Sequence, residues 1–165
     1  MVGTRVRDID WATWRAQEPA TLVFVMAAGR ILLIRKKRGL GAGKISGPGG
    51  RLDPGETPFD CAVREVEEEL HTTPIGLEQL GELRFQFVDG YSISATVFRA
   101  FEYEGDPVET DETAPIWAPL DALPFEEMWA DDRVWLPLVV EGRRFSGRFV
   151  FDGDTMLDHE IEVEA

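Results

Sequence analysis

Cysteine is nearly absent from this chain, since Cys61 is the single one among 165 residues. A lone cysteine excludes a disulfide framework and any zinc site that is built on several cysteines. A chain of this length can bury a sufficient core without such crosslinks. The composition therefore predicts one ordinary globular domain, residues 1–165, in a reducing compartment.

Long apolar runs are also missing. The longest, LVFVMAA and ILLI, are far shorter than the roughly 20 residues that cross a bilayer. The first twenty residues lack the apolar core of a signal peptide. We therefore expect a soluble, cytoplasmic protein without membrane attachment.

Basic residues are scarce relative to acidic ones. Lys and Arg together number 17 against 31 Asp and Glu, and the formal net charge is −14. Such a surface repels nucleic-acid polymers and anionic lipids, so neither is expected as a partner. A small phosphorylated substrate is compatible with this charge if a local cation, such as a metal ion, offsets it. No sequence feature indicates an obligate protein partner.

Short β-rich runs dominate the chain. Residues 21–26 and 30–36 predict a hairpin, and LRFQFVDG, YSISATVFRAFEYEG and DETAPIWAPL predict further strands. RFSGRFVFDGDTMLDHEIEVEA predicts a closing hairpin. Helical spacing follows Thr57 and again follows Asp131. Because no repeat or linker divides the chain, the pattern predicts a single α+β domain with helices packed against a mixed sheet.

An unusual density of carboxylates lies in GPGGRLDPGETPFDCAVREVEEEL, which runs from Gly47 to Leu70. Thr57 suits a helix N-cap, Pro58 the first helical position and Asp60 the acid of a capping box. Apolar residues at helical spacing then predict a buried stripe, which comprises Phe59, Ala62, Val63, Val66 and Leu70.

Glu65, Glu68 and Glu69 lie on a separate face of this predicted helix. Their repulsion opposes the helix by roughly a few tenths of a kcal/mol per pair. One interpretation is a solvated acidic face on an acidic protein. The other is a hard-cation site, because carboxylate oxygens suit Mg²⁺ or Mn²⁺. The preceding loop KRGLGAGKISGPGG favours the second, since its six glycines let backbone carbonyls approach the same ion.

These residues resemble the Nudix box, whose pattern is G-x5-E-x7-R-E-U-x-E-E-x-G-U, where U is aliphatic. The box loop and helix occupy residues 47–72. Seven positions match in register: Gly50, Glu56, Arg64, Glu65, Val66, Glu68 and Glu69. His71 and Thr72 depart from the pattern, which has Gly and an aliphatic residue there. The resemblance implies a Nudix fold, a mixed β-sheet sandwiched between α-helices.

The resemblance also implies a magnesium-dependent hydrolase of nucleoside diphosphate derivatives, with Mn²⁺ as a possible substitute. The implied metal ligands are the Gly49 carbonyl, Glu65, Glu68, Glu69 and Glu112. Arg64 would pair with Glu56 and orient the loop. Either Glu65 or Glu69 would act as the general base, and the sequence does not choose between them.

Within that superfamily the chain is similar to the MutT-homologue enzymes that hydrolyse oxidised purine nucleoside triphosphates such as 8-oxo-dGTP. The similar segments, which include KKRGLGAGK, RFQFV, PVETDE and LPFEEMWADDRVWLPL, lie between Thr21 and Glu160. The first twenty residues form an N-terminal extension outside this resemblance and have no functional interpretation. Trp11 and Trp14 in that extension are expected to pack rather than to contact nucleotide.

The implied substrate-binding residues are Thr21, Lys36, Ser46, Arg51, Phe85, Trp129, Asp131 and Asp132. Trp129 would stack on the purine, and the Asp pair would read its edge; alternatively the pair is only a helix N-terminus. Lys36 and Arg51 would hold phosphate oxygens; alternatively they are solvated cations.

Phe87 also matches the implied pocket, but three other positions depart from it. Ser46 replaces an asparagine that bonds the base, and Leu40 and Ile45 replace aromatic residues of the cavity. These departures leave open which base is preferred. The alternatives are a Nudix hydrolase of ADP-ribose, a dinucleoside polyphosphate or an ordinary NTP, and a non-catalytic nucleotide-binding module.

Overall fold

The computed structural model describes residues 3–165, which form eleven strands and two α-helices. The strands are β1 (Glu18–Ala27), β2 (Arg30–Lys36), β3 (Ile45–Ser46), β4 (Gly49–Arg51), β5 (Thr73–Ile75), β6 (Glu78–Phe87), β7 (Ser92–Ala100), β8 (Glu102–Glu104), β9 (Thr113–Pro119), β10 (Phe145–Asp152) and β11 (Thr155–Val163). The helices are α1 (Pro58–Leu70) and α2 (Asp132–Glu141), and short 3-10 turns cover Val6–Asp8 and Phe125–Glu127.

Strand β1 organises the mixed sheet. It runs parallel to β7 over most of its length, while its last two residues pair antiparallel with β2. The strand order is β11-β10-β6-β7-β1-β2-β3, with β4 paired to β1 and β9 paired to β2. Because β4 lies antiparallel to the start of β1, the glycine-rich segment is held beside Ala20, Thr21 and Leu22.

The two helices cover opposite faces of this sheet. Alternate residues of β1 show this: Val23 and Val25 pack towards α1, whereas Phe24 and Met26 pack towards α2. Since β1 is buried on both faces, its sequence is a continuous apolar run rather than an alternating one. The predicted arrangement of a mixed sheet between helices is confirmed.

Helix α1 begins as its sequence predicts. The Thr57 hydroxyl accepts a hydrogen bond from the Asp60 N–H at 3.1 Å, and Pro58 is the first helical residue. The prediction that Phe59 joins the buried stripe is wrong, because 51% of this residue is exposed. Its ring meets Phe98 edge to face while the rest of the side chain faces solvent. Cys61 lies in the buried set instead.

The segment YSISATVFRAFEYEG is not one strand, as predicted, but two. Strand β7 ends at Ala100, and β8 leaves the main sheet to pair with β5 in a separate ribbon. Phe101 stands at the break and is 59% exposed, with the Arg99 guanidinium 4.8 Å from its ring centroid. Strand β1 begins at Glu18, so the main sheet starts earlier than the predicted boundary at residue 20.

Trp11 and Trp14 make packing contacts, as expected, with ring centroids 5.3 Å apart. Among residues 3–165, no helix is both long enough and apolar enough to cross a membrane.

The end of α1 generates a stability prediction. His71 caps the helix in the left-handed conformation, with φ 56° and ψ 36°. A side chain with a Cβ is strained there, and glycine is favoured. We expect His71→Gly to raise the free energy of unfolding by up to about 1 kcal/mol. Urea denaturation measures this, with His71→Ala as the matched control, because alanine keeps the Cβ. A glycine variant less stable than the alanine variant would contradict the argument.

Candidate active site

A cavity of about 180 Å³ opens between β1, the glycine-rich segment, the β6–β7 hairpin and the start of α2. All eight residues predicted to bind substrate line it: Thr21, Lys36, Ser46, Arg51, Phe85, Trp129, Asp131 and Asp132. Gly49 and Glu69 from the predicted metal site line the same cavity. The two predicted sites are therefore continuous. The volume is below the roughly 300–1,000 Å³ of pockets that enclose a whole ligand, so it suits part of one.

The expectation that Ile45 lines the cavity is not met. Ile45 is 2% exposed and packs in the core on the α2 side of the sheet, because β3 pairs with the central strand β2. Leu40 does line the cavity and is 44% exposed. Phe87 lines it as expected.

Two glycines allow the loop to approach strand β1 and helix α1 closely. A Cβ on Gly49 would lie 2.0 Å from the Thr21 carbonyl oxygen, and a Cβ on Gly50 would lie 2.5 Å from the Glu65 carboxyl. The Gly49 N–H donates to Glu69 Oε1 at 2.8 Å. Glycine is required here because backbone and carboxylate come into direct contact.

Arg64 lies at the centre of the acidic cluster. Its guanidinium bonds both oxygens of Glu56, at 2.7 and 2.9 Å, as the predicted pair requires. It also donates to Glu65 at 2.7 Å, to Glu68 at 3.2 Å and to the Arg51 carbonyl at 3.1 Å. The hydrogen bonds from Arg64 lower the pKa of Glu56 to about 2. One cation therefore links the loop to three carboxylates of the box.

Within residues 3–165 no cation is hydrogen-bonded to the Glu69 carboxylate, although the charge of Lys36 acts to lower its pKa. Only 3% of the residue is exposed. Burial, with the nearby charges of Glu65 and Glu112, raises its pKa to about 8, although the Gly49 N–H opposes this rise. Burial also raises the pKa of Glu65, although Arg64 opposes the rise. Buried carboxylates with raised pKa values are typical of functional sites, because a fold seldom retains them for stability.

Asp131 and Asp132 form a second acidic pair at the other side of the cavity, and both are at most 5% exposed. The Trp135 indole N–H donates to Asp131 Oδ2 at 2.7 Å. Burial raises the pKa of Asp131 to about 6, and burial with the Asp131 charge raises that of Asp132 further. Because two adjacent buried carboxyls rarely both ionise, the pair is suited to sharing one proton, which would offer both a donor and an acceptor. Asp131 occupies the N-cap position without making a capping hydrogen bond, so helix capping does not account for its burial.

Trp129 forms a rigid edge of the cavity. Its ring meets Phe87 and Phe151 nearly perpendicularly, at centroid distances of 6.4 and 5.7 Å. Lys44 Nζ lies 5.3 Å from the indole centroid. Ser46, which stands nearby in place of the expected asparagine, donates its hydroxyl to the adjacent Gly47 carbonyl at 3.2 Å.

Neither predicted phosphate-binding cation is a freely solvated side chain. Lys36 Nζ donates to the Leu40 carbonyl at 2.9 Å. Arg51 Nε lies 3.0 Å from Glu18 Oε2. Both side chains line the cavity, so each is directed by a protein contact towards its mouth.

A family model described as a NUDIX domain matches residues 16–139. The chain belongs to the Nudix family. The Danio rerio protein named oxidized purine nucleoside triphosphate hydrolase is 45% identical over 147 residues, which are 87% of this chain and 94% of that protein. The Mus musculus protein of the same name is 40% identical over 148 residues, 88% of this chain and 95% of that protein. The crystal structure of the Bacillus halodurans MutT protein matches with a TM-score of 0.80 at 25% identity, covering 88% of this chain and 97% of that one.

Nudix enzymes generally use a divalent metal ion, and the donor chemistry of this site fits one. Within residues 3–165, no three Asp, Glu, His or Cys side chains converge as a preformed metal site. In this structure the box glutamates accept hydrogen bonds from Arg64 and from the Gly49 N–H. Oxygen donors from Glu65, Glu68, Glu69 and the Gly49 backbone are the ligands that hard divalent cations prefer. Glu112 is close enough to raise the pKa values of Glu65 and Glu69.

Several lining residues of this Nudix site escaped prediction. Tyr91, Ile93 and Phe151 line the cavity, and Glu18 contacts two of its lining residues. Strand alternation indicates that Ile93 shares a face with Ala95, but not that this face borders a cavity. Tyr91 follows a turn, where periodicity carries no information about side-chain direction.

The raised pKa of Glu69 generates a prediction for the metal-free protein. Between its ordinary value of 4.5 and about 8, the folded state binds a proton that the unfolded state has lost. Stability therefore falls as the pH rises through this window. We expect the free energy of unfolding in chelator to fall less for Glu69→Gln than for wild type between pH 5 and pH 8.

Urea denaturation at the two pH values measures this difference, with Glu162→Gln as the exposed-carboxylate control. Adding a divalent cation at pH 8 should stabilise wild type and leave Glu69→Gln nearly unchanged. If the free energy of unfolding depended on pH identically in wild type and Glu69→Gln, the pKa of Glu69 would not be raised by folding.

Proposed function

We propose that the protein is a Mg²⁺-dependent Nudix pyrophosphohydrolase of oxidised purine nucleoside triphosphates such as 8-oxo-dGTP, which it converts to the monophosphate and pyrophosphate. One observation carries the proposal: a single cavity joins the buried Asp131–Asp132 pair to the buried Glu69 carboxylate. The names of the Danio rerio and Mus musculus relatives support the same substrate class.

The acidic pair suits an oxidised purine for a chemical reason. Guanine presents N7 as an acceptor, whereas oxidation at C8 makes N7 a donor. Ionised Asp131 accepts such a donor, and protonated Asp132 donates to a neighbouring purine acceptor. The Trp129 ring offers a flat apolar surface for stacking on the base.

The hydrolytic end of the cavity is assigned as follows. Gly49, Glu65, Glu68 and Glu69 would hold the cation, with Glu112 nearby. When bound, the cation would supply polarisation of the phosphate and would lower the pKa of the attacking water. Glu65 or Glu69 accepts the proton from that water.

The positive side chains have separate tasks in this proposal. Arg64, through Glu56, keeps the loop against the helix, so it positions the carboxylates. Lys36 and Arg51 contact phosphate oxygens, because they are the basic side chains that line the cavity within the described residues.

A second candidate activity is hydrolysis of another nucleoside diphosphate derivative, such as ADP-ribose, a dinucleoside polyphosphate or an ordinary NTP. One observation favours keeping it: the Ser46 hydroxyl already donates to Gly47, so the site lacks the amide that similar enzymes direct at the base. A non-catalytic nucleotide-binding module is disfavoured because all three box glutamates are present.

Nucleic-acid polymers are not expected as partners. The cytoplasmic location stays a prediction.

A nucleotide panel tests the proposed substrate. With Mg²⁺, we expect kcat/KM for 8-oxo-dGTP to exceed the values for dGTP, ATP and ADP-ribose. Pyrophosphate release and product chromatography measure it. Glu69→Gln should lower kcat by about 10²–10⁴, since it removes a cation ligand or the base. Glu162→Gln, an exposed charge-matched variant, should retain activity. Faster turnover of ADP-ribose or ATP would remove the assignment to oxidised purines.

The assigned protonation of the acidic pair gives a second test. Asp132→Asn keeps a donor and an acceptor at the protonated position, whereas Asp131→Asn replaces the ionised acceptor. We therefore expect Asp131→Asn to lose more of the 8-oxo-dGTP over dGTP preference, by roughly tenfold or more, which corresponds to about 1.4 kcal/mol. Steady-state kinetics on both nucleotides measures the ratio. An equal loss on both nucleotides in both variants would argue against base reading by the pair.

A further inference from the structure

The N-terminal segment, defined here as residues 11–18, is fastened to the turn between β6 and β7. The Trp14 indole N–H donates to Gln86 Oε1 at 2.8 Å, and Gln86 Nε2 donates to the Tyr91 carbonyl at 3.1 Å. Gln17 bonds the same turn twice, from its N–H to Ser92 Oγ at 2.9 Å and from its amide to the Gly90 carbonyl at 3.2 Å. Since Phe87 and Tyr91 flank this turn and line the cavity, the segment braces one wall of the site.

Glu18 connects this brace to the cavity mouth. Its Oε2 accepts a hydrogen bond from the Tyr91 hydroxyl and lies 3.0 Å from Arg51 Nε. The Glu18 side chain is only 29% exposed, while that of Arg51 is 63% exposed. Burial, together with the Glu18 contact, raises the pKa of Tyr91 to about 12, so the hydroxyl remains a donor.

Arg51 is anchored through one edge of its guanidinium. The Glu18 contact engages Nε, and 63% of the arginine side chain is exposed, so the guanidinium remains accessible to a ligand. Arg51 lines the same cavity as Gly49 and Glu69, and its backbone carbonyl accepts a hydrogen bond from Arg64 at 3.1 Å, so the residue lies beside the hydrolytic end of the cavity. A guanidinium with an accessible face is well suited to phosphate oxygens.

We propose that Glu18 and Tyr91 are positioning residues, which hold Arg51 at the cavity mouth so that its accessible face receives the phosphate end of the nucleotide. A long exposed arginine loses rotamer freedom when it binds an anion, and an existing anchor removes part of that cost. Because the Tyr91 hydroxyl and Arg51 contact the same Glu18 oxygen, Glu18 also couples Arg51 to the part of the cavity wall that Tyr91 forms. The inference rests on the proposed function for the identity of the ligand as a nucleoside triphosphate.

A double-mutant cycle tests this arrangement. Glu18→Gln keeps the side-chain shape and removes the charge that holds Arg51, and we expect it to raise KM about threefold to tenfold. The change in kcat should stay within about twofold, because no reacting atom is touched. Arg51→Gln should raise KM at least as much. In the Arg51→Gln background, Glu18→Gln should have no further effect, since its action passes through the arginine.

Tyr91→Phe is the second variant. It removes one hydroxyl and, unlike Glu18→Gln, leaves all charges in place. It should raise KM about twofold to threefold, and this effect should also vanish in the Arg51→Gln background. Glu162→Gln controls for loss of one carboxylate, and thermal unfolding of every variant controls for folding. Additive effects on KM, a loss confined to kcat, or an unchanged KM in Glu18→Gln would overturn the proposal.

The cycle and the nucleotide panel fail independently. The cycle is measured with whichever nucleoside triphosphate the enzyme turns over fastest, so a wrong base assignment leaves it readable. Loss of coupling with a good oxidised-purine substrate would reject the positioning role alone.

Discussion

The site depends on the hydrogen bonds and ion pairs that the Arg64 guanidinium makes. It bonds Glu56 on the loop, Glu65 and Glu68 on the helix, and the carbonyl of Arg51 between them. Without this cation, the glycine-rich loop and the acidic face of α1 would repel each other. The same contacts bring Gly50 directly against the Glu65 carboxyl, so loop and helix form one surface rather than two neighbouring ones.

Like charges are accommodated in two different ways at the two ends of the cavity. Burial raises the pKa values of both Asp131 and Asp132, which favours one shared proton and so reduces the charge that is buried there. The box glutamates exceed what Arg64 can neutralise, and Glu69 is left buried with a raised pKa. This imbalance gives a divalent cation a physical role in the folded protein as well as in hydrolysis. The difference between the two ends matches the proposed division into base reading and phosphate cleavage.

The residues before the family match are part of the same design. The family model begins at residue 16, yet the indole of Trp14, which precedes it, donates to Gln86 beside the turn that carries Tyr91. The sheet contributes as well, because β1 carries Glu18, which contacts Arg51, and Thr21, which pairs with Gly50. Residues that line or support the cavity are therefore distributed along a continuous strand rather than confined to the box.

The sequence by itself determined the acidic helix, its cap at Thr57 and the α+β class, because these depend on local spacing and on residue chemistry. Resemblance to a known pattern also identified the residues of the box. Only the tertiary structure decided that Ile45 is core while Leu40 lines the cavity, since strand pairing sets which way each side chain points. It alone placed Glu18 beside Arg51, because residues 33 positions apart meet only when β4 pairs with β1. Raised pKa values were equally invisible beforehand, since burial is a property of the folded surface and not of the chain.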